Sequence, residues 1–264
     1  MNNITTITSK DNPALKSSRA LRLRKGREKS GAFLVEGRKL ILEAQSAGFD
    51  ITQVFINVGA LLKGEAESGQ FPNEIALEEK LFLSLACTVT PQPYIAVVKK
   101  PDRTEGDGSC VPDRILILDR ISDPGNAGTM IRTALAAGMD GLWCTPGTAD
   151  VFSDKAIRAS AGAVFHIETR EGLPVPDCIN RVKETGTKLV VCDTGGSSLY
   201  EEKLTGKLAV VVGSEAAGPQ EGFLKAADAI IGIPMTEVSE SLNAGIAAAI
   251  VIYEALRQRL AAAG

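Results

Sequence analysis

The sequence predicts an α/β protein in which a small αβ unit precedes a larger unit built on a parallel sheet covered on both faces. Three observations carry this reading. After residue 113, short continuous Ile/Leu/Val runs alternate with helical stretches, the pattern of strands buried on both faces and joined by helical crossovers. Pro101–Pro112 mixes Pro, Gly and charge with no apolar periodicity, which is linker composition. The chain has 264 residues, 44% of them hydrophobic, and a net charge of −3, enough for one large or two modest domains and far from a disordered composition.

Taken in order, Asp11-Asn12-Pro13 opens a helix within a basic arm. Residues 1–30 carry a net charge of +6, leaving −9 for the remainder. Arg22, Arg24, Lys25 and Arg27 form its densest part, either a solvated helix face or a contact surface for nucleic-acid phosphates. An Arg-rich transit peptide is a third reading, weakened by the helix start. Ala32–Val35 reads as a strand and Glu36-Gly37 as a turn; Arg38–Ala47 has helical spacing through Leu40, Ile41 and Ala44 and stops at Gly48. Ile51–Ile56 and Tyr94–Val98 are further strands, and Glu78–Leu85 is helical. The domains are therefore placed at 1–100 and 113–264, with 101–112 between them.

In the second domain the expected strands are Arg114–Leu118, Gly141–Cys144, Leu189–Cys192, Leu208–Val212 and Ala229–Ile233. Helices are expected at Ala127–Ala137, Asp154–Ala161, Asp177–Thr185 and Glu221–Ala226. The final helix, Ser241–Leu260, repeats Leu242, Ile246, Ile250, Tyr253 and Leu256 at three- to four-residue steps, with Ala244, Ala247 and Ala248 around much of the rest. A helix so apolar is covered on more than one side, by its own sheet or by a second copy.

Several classes are excluded. No apolar run approaches the ~20 residues of a membrane span, and the N-terminus has no secretory apolar stretch. Five cysteines without a C-x-x-C pair argue against disulfide or zinc scaffolds, leave no expected metal, and fit a reducing cytoplasm. The single histidine, His166, lies in an apolar, strand-like stretch and is assigned a structural role, which removes hydrolases built on a His base. Neither G-x-G-x-x-G after a strand nor G-x-x-x-x-G-K-[ST] occurs, so ordinary dinucleotide and P-loop enzymes are poor fits.

Ligands of open α/β sheets bind at the carboxyl ends of strands, and three loops there are informative. The first, from Asp119-Arg120 through Asp123-Pro124-Gly125-Asn126-Ala127-Gly128 to Arg132, has strong turn chemistry, with Asn126 placed to cap the helix. The second is Gly213-Ser214-Glu215-Ala216-Ala217-Gly218-Pro219, where Gly213 permits close backbone approach to a ligand. The third runs from Ile233-Pro234-Met235 to Glu240-Ser241-Leu242-Asn243, with Ser239 as a candidate cap. Each alone is an ordinary connection.

Together, D-P-G-N-x-G-x-x-x-R, G-x-E-x-x-G-P and I-P-M-x-x-x-x-E-S-L-N resemble the three signature motifs of the SpoU/TrmH RNA ribose methyltransferases, of the SPOUT class. Lys155–Gly162 resembles the segment between the first two motifs. Phe33–Gly37 with Thr90-Pro91-Gln92 is similar to the substrate-binding domain, itself like ribosomal RNA-binding proteins, that many members carry. The resemblance implies a trefoil-knotted methyltransferase domain that binds S-adenosylmethionine through Gly213, Ile233, Met235 and Leu242. It implies methylation of a ribose 2′-hydroxyl, in ribosomal RNA by preference and transfer RNA otherwise. Asn126, Arg132, Glu215, Ser241 and Asn243 would be the catalytic set, and a homodimer would form through the final helix. Two positions depart from the pattern: Glu237-Val238 stand where the family often has Gly, and Pro93-Tyr94 replace the Gly common after T-P-Q. The alternative is an RNA-binding protein of the same fold that transfers no methyl group.

Overall fold

The computed structural model describes residues 4–101, 111–236 and 241–263. The chain divides into two compact units, one from 1–102 with Phe152–Ile157, the other from 103–151 with Arg158–Gly264. Most of the expected linker, and the whole of Glu237-Val238, lie outside the described residues.

The first unit contains β1 (Thr6–Ile7), α1 (Pro13–Ala20), α2 (Arg24–Ser30), β2 (Ala32–Glu36), α3 (Arg38–Ser46) and β3 (Ile51–Asn57), then α4 (Val58–Lys63), β4 (Glu74–Leu77), α5 (Glu79–Leu85) and β5 (Tyr94–Lys99). Its sheet runs β1-β4-β3-β5-β2, with β5 antiparallel to both neighbours. Asn12 caps α1 by accepting from the N–H groups of Ala14 and Leu15, and Pro13 fits the first turn. Glu36 ties the two motif segments of this unit together. Its carboxylate accepts from the Cys87 N–H (2.9 Å), the Gln92 N–H (3.3 Å) and the Thr88 hydroxyl. A Glu36 oxygen, Cys87 Sγ and an Asp154 oxygen lie within 4.8 Å of one another, but the Glu36 carboxylate is already committed to that loop. Phe152 groups with this unit because its ring packs 4.9 Å from Phe33 and lies under the Lys100 ammonium at 4.8 Å. The Pro93-Tyr94 departure is accommodated: Tyr94 is buried, and its hydroxyl bonds the N–H and carbonyl of Glu67.

The second unit contains β6 (Arg114–Asp119), α6 (Pro124–Ala136), β7 (Gly141–Cys144), β8 (Glu168–Arg170), α8 (Val175–Glu184), β9 (Lys188–Ser198), β10 (Leu208–Gly213), α9 (Glu221–Ala226), β11 (Ala229–Gly232) and α10 (Ala244–Ala263); α7 (Asp154–Ala159) spans the division between units. The sheet is parallel throughout, ordered β11-β9-β10-β6-β7-β8. Ile115–Leu118 and Ala209–Val211 are fully buried, as a sheet covered on both faces requires. Helix α6 turns Ala127, Met130, Ile131 and Ala134 inward at helical spacing.

Three expectations are corrected. The stretch around His166 is a 3₁₀ turn, Ala163–Phe165, and His166 itself is exposed. The final helix begins at Ala244, capped by Asn243, whose Oδ1 accepts from Gly245 and Ile246 N–H; Ser239 lies outside the described residues. The buried residues of α10 are Ala244, Gly245, Ala248, Val251, Ile252, Glu254 and Ala255, the small ones among them letting the helix lie close, whereas Ile246 and Tyr253 are about half exposed.

Arg27 is also corrected as a phosphate contact. It is 7% exposed, and its Nη1 donates to the carbonyls of Leu21 and Arg22 (2.8 and 3.0 Å), closing the end of α1. Arg22, Arg24 and Lys25 remain exposed, Arg24 paired with Glu28 along the helix at 2.8 Å.

Candidate active site

The three strand-end loops meet at one atom. Glu215 Oε1 accepts from Asn126 Nδ2 (3.0 Å), Asn243 Nδ2 (2.8 Å) and the Ala244 N–H (3.1 Å). Asn243 Nδ2 also approaches Asn126 Oδ1 at 3.3 Å. One carboxylate therefore joins the ends of β6 and β10 to the start of α10. Asn126 is free to do this because the cap of α6 is Asp123, which accepts from the Asn126 N–H at 2.8 Å. The Asn126 side chain thus bonds across the site rather than along its own helix, a correction to its expected capping role.

Beside this junction is a cavity of about 500 Å³, within the range of small-molecule sites. Its wall includes Gly213, Glu215, Ile233, Met235, Ser241 and Leu242. Gly213 is needed for a reason other than ligand approach. A Cβ there would sit 2.2–2.7 Å from the backbone of Gly218 and Pro219, because Ser214–Gly218 folds back over it. Gly213→Val would therefore break this loop before it touched any ligand.

A further wall comes from β9. Its pairing with β11 jumps from Val191–Ile230 to Ser197–Ile231, so Cys192–Gly196 loop out, and Cys192, Asp193 and Thr194 line the cavity. Gly196 allows this, since a Cβ would lie 2.6 Å from the Ile231 backbone. Burial and the adjacent Asp193 carboxylate push the Cys192 thiol up to about 12, so it stays neutral. Among the described residues the lining holds two carboxylates, Asp193 and Glu215, and no basic side chain. Mixed polar and apolar walls whose charged groups are acidic suit a small molecule that carries positive charge.

Underneath is a buried junction that motif reading missed. Asp119, wholly buried at the end of β6, accepts from Gln220 N–H (2.7 Å), Gln220 Nε2 (2.6 Å) and Thr145 Oγ1 (2.8 Å). It ties the strand that precedes the first loop to the residue that follows the second. Its only sequence signal is an acid directly after an apolar strand.

Arg132 stands apart. It is exposed on α6, about 9 Å along the helix axis from Asn126 and about 120° round it. Within one chain no described contact brings it to the Glu215 junction.

Strand-end loops joined over an acidic cavity define this half as a small-molecule-binding α/β domain with an exposed polar rim. Residues 113–253 match the SpoU rRNA Methylase family, and residues 12–96 match the MRM3-like substrate binding domain. The chain belongs to the SpoU rRNA methylase family. It is 32% identical over 94% of its length, and 97% of the relative's, to the 23S rRNA (guanosine(2553)-2′-O)-methyltransferase RlmP of Bacillus subtilis. Among solved structures it is similar to the SpoU methyltransferase AviRb of Streptomyces viridochromogenes in complex with AdoMet, at 28% identity and TM-score 0.82, covering 94% and 98% of the two chains. The AdoMet-bound rRNA methyltransferase of Sinorhizobium meliloti matches at 29% identity and TM-score 0.82, covering 96% and 98%.

Proposed function

We infer that this chain is an S-adenosylmethionine-dependent RNA methyltransferase that methylates a ribose 2′-hydroxyl, with ribosomal RNA as the preferred substrate class and transfer RNA as the alternative. The observation that carries the reading is the convergence of Asn126, Glu215 and Asn243 beside a cavity whose charged lining side chains are acidic. The sulfonium of the cofactor supplies an activated methyl group, and Ile233, Met235 and Leu242 with the Gly213 loop would hold it. What remains for the protein is alignment, since in-line displacement depends on placing the acceptor oxygen behind the methyl carbon, with the hydroxyl proton passing to solvent as the O–C bond forms and the S–C bond breaks. Asn126, Ser241 and Asn243 serve the ribose and the loops around it, and Glu215 fixes the two asparagines. Arg132 grips an RNA phosphate and offsets charge developing on the ribose oxygen. The target is RNA because only RNA offers the 2′-hydroxyl.

Calorimetric titration with S-adenosylmethionine tests the reading against an RNA-binding protein of the same fold. One binding event per chain supports the enzyme; no binding, with RNA affinity intact, supports the alternative.

The reading extends to three further properties. The knotted threading is supported by the family match of residues 113–253. A cytoplasmic setting is supported by the RNA substrate class; among the described residues no helix is long and apolar enough to cross a membrane. A homodimer through α10 is supported by Ile246, Tyr253 and Leu260, seven residues apart and 52%, 49% and 65% exposed. Such a stripe lies on one side of a helix and is closed most simply by a two-fold axis. Ala248 is wholly buried in its own chain, so the substitution that tests the interface belongs on the outer stripe. Ile246→Arg with Tyr253→Arg should give a folded monomer by light scattering, and a monomeric unsubstituted protein at micromolar concentration would remove the dimer.

The basic arm supplies phosphate contacts. Neutralising Arg22, Arg24 and Lys25 together should weaken RNA binding and reduce its log–log salt slope by up to about 3, with cofactor affinity unchanged. Arg27→Ala should instead destabilise the first unit by roughly 1–3 kcal/mol, because buried carbonyls lose their donor. An unchanged salt slope in the triple variant assigns the arm to a solvated helix face.

A further inference from the structure

The cavity's walls do not themselves explain what holds the loop after β10 in shape. Arg120 directly follows β6 and has a left-handed backbone, φ 57°, which residues other than glycine seldom adopt. Its N–H donates to Thr145 Oγ1 at 3.1 Å, and Thr145 in turn donates to the buried Asp119 carboxylate. From this pose the side chain reaches across to the second loop, where Nη2 donates to the Gly218 carbonyl at 3.1 Å. Its Nε is buried with no hydrogen-bond partner among the described residues, 3.9 Å from Asp119 Oδ1. A strained backbone and an incompletely satisfied guanidinium persist only where surrounding structure imposes them, and both concentrate at functional positions.

The carbonyl that Arg120 holds closes the second loop. Gly218 has φ 61°, and its N–H donates to the Ser214 carbonyl at 2.9 Å, so Ser214–Gly218 form a closed turn with Glu215 on it. Gly213, Ser214, Glu215, Ala217 and Gly218 all face the cavity, whereas Arg120 is not part of its lining. Arg120 therefore acts on the loop from behind.

We propose that Arg120 is a positioning residue for the cofactor: its guanidinium pins the Gly218 carbonyl and fixes the Ser214–Gly218 turn in the shape that receives S-adenosylmethionine. This rests on the cofactor reading above. The side chain contributes through the loop, so its removal changes cofactor affinity while leaving the RNA-binding arm as it is.

The test is calorimetric titration of S-adenosylmethionine into the unsubstituted protein, Arg120→Met and Arg120→Lys, with thermal midpoints and RNA affinity measured in parallel. Arg120→Met keeps the length of the stem and removes the donor; Arg120→Lys restores a cationic donor. The expected result is affinity about tenfold weaker in Arg120→Met, the worth of one well-formed hydrogen bond. Arg120→Lys should recover it to within about threefold, with midpoints and RNA affinity close to those of the unsubstituted protein. Equal cofactor affinity in all three proteins overturns the proposal. So does a loss of affinity that tracks a fall in midpoint in both variants, which assigns Arg120 to folding alone. If the unsubstituted protein itself binds no S-adenosylmethionine, the cofactor reading fails first, and that outcome is separate from both.

Discussion

Arg132→Ala should lower methyl transfer by about 10²–10³-fold while leaving S-adenosylmethionine affinity within about twofold, the usual cost of removing one transition-state donor. The split follows from position. Arg132 is exposed on α6, away from the Glu215 junction, and is not part of the cavity lining. On the proposed reading its removal therefore spares cofactor binding and costs a contact to an RNA phosphate. Arg132→Lys should recover little, since a compact ammonium cannot reproduce a planar, two-pronged contact. Single-turnover assays with saturating cofactor, paired with calorimetry, check both halves. Full activity in either variant removes Arg132 from the mechanism, and loss of cofactor binding places it at the wrong end of the reaction.

Glu215→Ala should produce the second large effect, a fall of about 10²-fold or more in kcat/KM with a stability cost of only about 1 kcal/mol. The carboxylate accepts three N–H groups from two loops, and hydrogen bonds to charged groups are the stronger kind. Glu215 is nonetheless exposed, so water replaces much of that bonding once the side chain is gone and the fold survives. Water does not hold Asn126 and Asn243 in register, and methyl transfer is sensitive to small misplacements. Glu215→Gln retains a carbonyl acceptor of the same reach and should lose about tenfold. Chemical denaturation beside steady-state kinetics distinguishes this from simple unfolding, in which activity and stability would fall together.

Which parts of this site could be read from residues depends on whether the signal was a pattern or a single contact. Asn126, Glu215 and Asn243 stand in recognisable turn chemistry at strand ends, and the structure joins them through one oxygen. Asn126 was expected to cap α6 because Asp123 and Asn126 are both good capping residues, and sequence alone does not say which side chain turns back. Asp119 and Arg120 were invisible as site residues, since one acid and one base after a strand form no pattern; their roles come from Thr145, Gly218 and Gln220, distant in sequence. The looped-out Cys192–Gly196 was hidden for a related reason: β9 continues beyond it as a strand, and only the shifted pairing with β11 exposes the break.

Five of the six strands of the second unit were legible because continuous apolar runs have few alternatives when helices alternate with them; β8, three residues without an apolar run, was not. In the first unit β1 is two residues long and β4 four, too short for periodicity to register. Helix α10 shows the limit of apolar counting. Ile246 and Tyr253 of its apolar repeat face outward, while Ala244, Gly245, Ala248 and Ala255 are buried together with Val251 and Ile252, because close packing of the helix favours small residues at several of its contact positions.

Mapping of deuterated methyl groups is the most direct test of the central claim. Ribosomal RNA, prepared from cells lacking this protein, is incubated with the purified chain and S-adenosylmethionine carrying a deuterated methyl group, digested, and read by mass spectrometry. The account predicts label on a ribose 2′-oxygen, incorporated about 10²–10³-fold more slowly when Arg132→Ala replaces the unsubstituted chain. Label on a base, or bound RNA with no label from protein that binds the cofactor, would contradict it.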